Sequence, residues 1–460
     1  MTMMLRFALF ASLFVAATMV AASGTVLAAE GEGQSPRPNV VVFLADDLGS
    51  ANVPWRGSKY SMPTLDALAK ESVKLDVCYV HPMCSPTRAA LLSGRAASRF
   101  GCTGAQNERV FPFGTVTLAS ALQSVGYETA IVGKWHLGSR ADWGPNHFGF
   151  SYSYGSLAGG VGPYDHHYKT GPFTETWHRN GVPLEEEGHV TDLIAADAIR
   201  WLAERDGSKP FFLYIPFTAV HIPIDESQKY LDLNKQFEHP GDRLHAASAT
   251  HMDEAIGAVL AALDRSGHAE RTIVLFFSDN GGHSRIKNND TKYPGKYPDE
   301  QVTGDNTPLR GSKTQLYEGG IRTAALVRYP GRLQPTTVTA PIHTCDWMPT
   351  FCRLAGYQAK QNLKSDGRDV WPILTGEQPS PEPRTLYWLG VGRRERAVRH
   401  GDWKLITGEK DRIELYDLAH DPSETTNLAE REPQRVAELR KFMELAAAAD
   451  DDARVMESAK

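Results

Sequence analysis

Three short apolar runs, each closed by polar residues of complementary chemistry, constrain this chain more than any other feature. Residues 39–44 read NVVVFL and pass into Ala45-Asp46-Asp47-Leu48-Gly49. Residues 127–132 pass into Gly133-Lys134-Trp135-His136-Leu137-Gly138, and residues 272–278 into Asp279-Asn280-Gly281-Gly282. A strand that is apolar throughout suits burial on both faces, as in a parallel sheet covered by helices. In open sheets of that kind ligands bind beyond the carboxyl ends of the strands. Two adjacent carboxylates there are costly unless something positive pairs with them. Asp46, Asp47, Asp279 and Asn280 offer four oxygen donors without a nearby thiolate pair, a set that favours Ca2+ or Mg2+ over zinc. Lys134 and His136 are two apart, so on an extended segment they point to the same side. Each strand end alone could be a solvated turn. Together they predict one metal- and anion-binding edge of an α/β sheet.

A further stretch, His81-Pro82-Met83-Cys84-Ser85-Pro86-Thr87-Arg88-Ala89-Ala90-Leu91-Leu92-Ser93-Gly94-Arg95, reads as a helix start. Ser85 is the expected N-cap, Pro86 suits the first helical position, and Gly94 stops the helix. Cys84 is then placed just before a helix N-terminus, where free N–H groups favour negative charge. Arg88, about one turn on, can reach back to it. Either a reactive sulfur facing an anion site or an ordinary buried cysteine satisfies this reading.

The wording C-S-P-T-R followed by A-A-L-L-S-G-R resembles the signature of the type I sulfatases. The blocks A-D-D-L-G, G-K-W-H-L-G and S-D-N-G-G resemble motifs of that family in the expected chain order. So do Thr307-Pro308-Leu309-Arg310-Gly311-Ser312-Lys313 and Glu318-Gly319-Gly320-Ile321-Arg322. The resemblance looks closest to arylsulfatase B (N-acetylgalactosamine-4-sulfatase) and bacterial carbohydrate sulfatases. It implies an alkaline-phosphatase-like fold: a large mixed, mostly parallel sheet flanked by helices, plus a smaller C-terminal α+β subdomain with an antiparallel sheet. It further implies that a formylglycine-generating maturation enzyme oxidises Cys84 to formylglycine (3-oxoalanine), which works as its hydrate, with Arg88 as stabilising partner. Asp46, Asp47, Asp279 and Asn280, with the modified Cys84, would bind Ca2+. Lys134 and Lys313 would hold the sulfate oxygens, and His136 would assist turnover of the modified residue.

His221 lies in Phe217-Thr218-Ala219-Val220-His221-Ile222-Pro223, after an apolar run at residues 210–216. From the residues alone it is as readily a packed histidine as a catalytic one, and Lys313 is a routine surface lysine. The resemblance places His221 near the leaving group, as general acid on the departing alcohol. The implied function is that of a sulfuric ester hydrolase of the arylsulfatase type, removing O-sulfate from a sulfated carbohydrate or an aryl sulfate. The alternative is a phosphate or phosphonate monoester hydrolase of the alkaline phosphatase superfamily. A non-catalytic secreted carbohydrate binder would need the constellation without conversion of Cys84.

Residues 1–28 read as a signal peptide: Arg6, an apolar run at 7–22, and Val26-Leu27-Ala28 as a small-residue cleavage site. The expectation is an exported protein, periplasmic or extracellular (lysosomal if from an animal), with no membrane span after cleavage. The formal net charge of −6 argues against a general nucleic-acid binder but not against an anionic substrate held by local cations. Five cysteines are too few for a disulfide framework. Cys78 and Cys102 could pair in an oxidising compartment, whereas Cys345 and Cys352, about 10 Å apart along a helix, are too distant.

The catalytic region is expected over residues 29–378. From 379 to 460 the pattern changes to short strands near 385–390, 396–399, 403–407 and 413–418, then a helix near 433–447. Residues 192–204 read as an amphipathic helix. The segment 155–174 is glycine-rich, aromatic and polar, suiting either a loop that lines a sugar pocket or a plain surface loop. Residues 283–306 read as another irregular loop.

Overall fold

The computed structural model describes residues 37–455; the expected signal peptide lies outside them. Asn39–Ala45 is the central strand, buried at every residue. It pairs in parallel with Thr272–Ser278 on one side and Phe211–Pro216 on the other, and Glu128–Val132 pairs in parallel beyond the latter. Arg322–Arg328 runs antiparallel to Thr272–Ser278, and Val73–Tyr79 antiparallel to Arg322–Arg328. The large sheet is therefore mixed and mostly parallel, as expected.

Alternation along the central strand sends side chains to two separate cores. Val40, Val42 and Leu44 join a layer containing Leu91, Leu122, Trp347 and Phe351. Val41, Phe43 and Ala45 join one containing Leu65, Ile194, Trp201, Ile256 and Val259. Helices thus cover both faces, Cys84–Ser93 and Trp347–Leu354 on the first and Val190–Ala203 and the 26-residue Pro240–Arg265 on the second. Each fully buried aliphatic side chain contributes roughly 1.5–3 kcal/mol relative to exposure. Among the described residues no helix is long and apolar enough to cross a membrane.

The C-terminal strands Thr385–Leu389, Glu395–His400, Trp403–Gly408 and Ile413–Asp417 form an antiparallel sheet. One face packs Trp388, Ala397, Ile406 and Tyr416 against Val77, Tyr79 and Ile321. The other lies under Val436, Leu439 and Met443 of the helix Pro433–Ala447. All five cysteines are buried and free, so Cys78 and Cys102 are not bridged.

Candidate active site

The register of the sheet gathers the predicted residues at one edge. Ala45 aligns with Ser278 and Leu44 with Pro216, so the chain leaves these strands side by side into Asp46-Asp47, Asp279-Asn280 and the segment holding His221. Glu128–Val132 exits the same way into Lys134 and His136. Val73–Tyr79 points in the same direction and leads into the helix Cys84–Ser93. Lys313 sits in the loop that enters Arg322–Arg328 through the short helix Glu318–Ile321.

Neighbouring residues on a strand normally face opposite ways. Asp47 escapes that rule because its φ is +64°, a left-handed conformation that Asp tolerates better than most residues. Both carboxylates of the pair can therefore enter one site. Oxygens of Asp46 and Asp279 and the Cys84 sulfur lie within 4.8 Å of one another, as do oxygens of Asp46 and Asp47 and a ring nitrogen of His221. Gly281 permits close approach, since a Cβ there would lie 1.8 Å from the Gly319 carbonyl oxygen.

Cations interleave with these acids. Arg88 donates from Nε (3.1 Å) and Nη2 (2.8 Å) to Asp279 Oδ2 and from Nη1 to the Lys134 carbonyl oxygen (2.7 Å). Lys134 donates to Asp46, and Lys313 Nζ lies 2.7 Å from Asp47 Oδ2. Asn280 donates to Asp47 Oδ1 (2.8 Å), while His221 Nε2 stands 3.8 Å from Asp47 Oδ2. His221 Nδ1 contacts the Ile222 carbonyl oxygen.

Burial disfavours the Asp47 carboxylate, yet Lys313, His221 and His283 outweigh it and hold that carboxyl far below the usual range. Burial, reinforced by Asp46, pushes Asp279 up to about 6. Burial also raises Asp46 against the pull of Lys134, and raises Cys84 against Lys134 and Lys313. The imidazoles of His136 and His221 fall well below their ordinary value, first through burial and then through Lys134 and Lys313 respectively. Asp46 Oδ1, Asn280 Oδ1 and both ring nitrogens of His136 are buried without a hydrogen-bond partner. Unpartnered oxygens on Asp46 and Asn280, beside the crowded carboxylates of Asp47 and Asp279, are the donor set of a hard divalent cation, so the residues present fit one.

Three local expectations need correction. The helix begins at Cys84 itself, with extended Met83 at the N-cap, and Ser85 Oγ accepts from the Gln106 N–H (3.0 Å) instead of capping. Arg88 spends its hydrogen bonds on Asp279, Asp46 and the Lys134 carbonyl, so its principal partners are other strand ends rather than Cys84. His136 is not on an extended segment: its φ is +58°, so the two-residue spacing from Lys134 does not by itself set its direction. The sequence reading also missed Asn306, whose Oδ1 accepts from Gly282 N–H (2.8 Å) and whose Nδ2 donates to the Gly282 carbonyl (2.9 Å). That residue lies in irregular chain with no periodicity to flag it.

A parallel-sheet edge with clustered carboxylates, buried ammonium groups and a helix-start cysteine defines a hydrolase-type site for an anionic ester. Comparison makes this specific. Residues 38–357 match the Sulfatase family model, and residues 312–448 match that of the N-sulphoglucosamine sulphohydrolase C-terminal region. The chain belongs to the sulfatase family, a family of sulfuric ester hydrolases. It is 32% identical to mouse (Mus musculus) arylsulfatase J over 410 residues, 82% of this chain and 65% of that protein. It is 30% identical to mouse N-acetylgalactosamine-6-sulfatase over 396 residues, 81% of this chain and 72% of that one. The crystal structure of Ps i-CgsB in complex with k-i-k-neocarrahexaose superposes with a TM-score of 0.81 at 26% identity, covering 92% of this chain and 95% of that chain.

Proposed function

We propose that this protein hydrolyses O-sulfate esters of a carbohydrate, with Cys84, converted to formylglycine, as nucleophile and Ca2+ as the site's cation. The observation that carries the reading is the convergence of three carboxylates, an amide, two ammonium groups and the helix-start cysteine at one buried sheet edge, with oxygens left unpartnered. Asp46, Asp47, Asp279 and Asn280, with position 84, would hold the cation. A divalent cation there supplies fixed positive charge to an anionic ester, and the aldehyde hydrate at position 84 supplies an oxygen nucleophile.

The remaining residues have separate tasks. Lys134 and Lys313 are positioned to hold anionic oxygens in a site where fixed charges count for more than in water. Arg88 clamps Asp279 to the Cys84 helix and so keeps the acid set in register. In His221, the Nδ1 contact with the Ile222 carbonyl leaves Nε2 as the nitrogen free to carry a proton to the departing sugar oxygen. Burial and Lys313 lower that imidazole's hold on a proton, which suits a group that gives one up. His136, with both ring nitrogens unpartnered, would accept a proton from the hydroxyl at position 84. The relatives named for N-acetylgalactosamine-6-sulfatase activity and the neocarrahexaose complex support a sulfated sugar as substrate. Export through the segment 1–28 belongs to the same reading.

The test is a matched pair of esters. Sulfate release from 4-nitrophenyl sulfate and from sulfated N-acetylgalactosamine should far exceed phosphate release from 4-nitrophenyl phosphate. Faster release of phosphate would favour the phosphomonoesterase alternative.

A further inference from the structure

Two loops whose roles the sequence left open meet over the candidate site. Gly159 and Gly160 lie flat against its two imidazoles. A Cβ at Gly159 would sit 2.2 Å from His136 Nε2, and one at Gly160 would sit 2.6 Å from the Tyr293 hydroxyl and 3.4 Å from His221 Nδ1. The Tyr293 hydroxyl and the His221 ring thus face one another across Gly160. That hydroxyl, like the one of Tyr214 in the sheet core, is buried with no hydrogen-bond partner, whereas the hydroxyls of Tyr79, Tyr154 and Tyr297 donate to carboxylates. A buried phenol usually finds a partner, so an orphan beside a catalytic imidazole points to a missing ligand.

The ring itself is held in place. Tyr293 N–H donates to the Asp290 carbonyl (3.0 Å), and Thr170 N–H donates to the Lys292 carbonyl (2.7 Å). Lys169 pairs with Asp290 at 2.9 Å and lies 5.4 Å from the Tyr293 ring centroid. Tyr168 packs edge-on at 5.8 Å. Fixing the ring while leaving its hydroxyl free is how a rigid contact for a ligand is built. The cluster of acids and lysines suits the anionic part of an ester. A neutral hydroxyl on the His221 side suits the alcohol part.

We propose that Tyr293 is a substrate-binding residue whose hydroxyl hydrogen-bonds an oxygen of the sugar leaving group, which makes the segments around Gly160 and Tyr293 a sugar subsite. The proposal rests on the sulfatase reading above. Its test is Tyr293→Phe, assayed on N-acetylgalactosamine 6-sulfate, N-acetylgalactosamine 4-sulfate, a sulfated neocarrabiose and 4-nitrophenyl sulfate. On any sugar sulfate that the wild type cleaves, kcat/KM should fall about 10-fold or more. The loss on 4-nitrophenyl sulfate, whose leaving group has no sugar hydroxyls, should be at least about fivefold smaller. Gly160→Ala, whose Cβ would meet the hydroxyl at 2.6 Å and push it out of place, should reproduce the same selectivity should Tyr293→Phe fold poorly. Equal losses on sugar and aryl substrates, or none on either, would overturn the subsite while leaving the sulfatase reading intact. Wild-type protein that cleaves no sulfate ester would overturn that reading and the subsite with it.

Discussion

Of the clusters of buried charge among the described residues, two differ in one telling respect. At the sheet edge, Asp46, Asp47 and Asp279 interleave with Arg88, Lys134 and Lys313, and Asp46 Oδ1 and Asn280 Oδ1 are left without partners. Against the C-terminal sheet, Lys404 Nζ sits 2.9 Å from Glu318 Oε1 and 2.8 Å from Glu424 Oε1. Tyr79 donates to Glu318 Oε2 (2.8 Å), and the Glu318 N–H donates to Glu424 Oε2 (2.6 Å). Glu424 Oε1 makes no hydrogen bond but lies against the Lys404 ammonium, so each carboxylate oxygen of that second cluster still has a cation or a donor beside it. A buried ion set that closes on itself fastens two layers together. One that leaves oxygens open is arranged for something else.

The largest effect should come from Cys84→Ser. It should lower turnover of any sulfate ester by at least about 10³-fold while the melting temperature stays near that of the wild type. Near-wild-type turnover would remove position 84 from the chemistry. His221→Ala comes next, with a loss on the order of 10²–10⁴-fold on a sugar sulfate and a much smaller one on 4-nitrophenyl sulfate, whose leaving group departs unprotonated. Equal losses would make His136 the better proton donor.

Lys404→Met probes the closed cluster. It strands two buried carboxylates, and thermal unfolding should report a loss of about 3–5 kcal/mol. The kcat of the folded fraction should stay within a few-fold. A collapse of kcat at unchanged stability would show that the two clusters are not separate in function.

The smallest effect is in pH. Burial, reinforced by Glu318 and opposed by Lys404, pushes the Glu424 carboxyl up to about 7, from the 4.5 of a free side chain. The folded protein keeps this proton over a range where the unfolded chain has lost it. The stability from this group is therefore complete below about pH 4.5 and is lost as pH rises through about 7, by roughly 1–3 kcal/mol. Relative to Glu424→Gln, wild-type melting temperature should fall across that window. A constant difference between the two would refute the raised Glu424 carboxyl.

The two clusters were not equally legible in the sequence. The strand ends at Asp46-Asp47 and Asp279-Asn280 stood out because uninterrupted apolar runs point to a doubly covered sheet, and acids at its edge break the pattern. The C-terminal strands were readable from turn spacing. Lys404 and Glu424 were not: each is a lone charge in a polar or alternating segment, and its partners are distant in sequence. The helix start was misjudged by two residues because Ser85 has the chemistry of a cap but spends its hydroxyl on Gln106. The left-handed turns at Asp47 and His136 carry no glycine to announce them. The long helix Pro240–Arg265 mixes alanines with polar Ser248, Thr250, His251 and Asp253 among its buried residues, a weaker apolar signal than leucines would give.

The contrast between open and closed clusters rests on the claim that the open one holds a divalent cation, which calorimetry can test directly. Chelated protein titrated with Ca2+ should bind one equivalent, and saturation to about 100 times Kd should stabilise it by about 2.7 kcal/mol. Asp279→Ala should abolish both the binding and the stabilisation, while Lys404→Met should retain both from its lower baseline. Binding that survives Asp279→Ala, or a wild-type protein with no calcium-dependent stabilisation, would contradict the assignment.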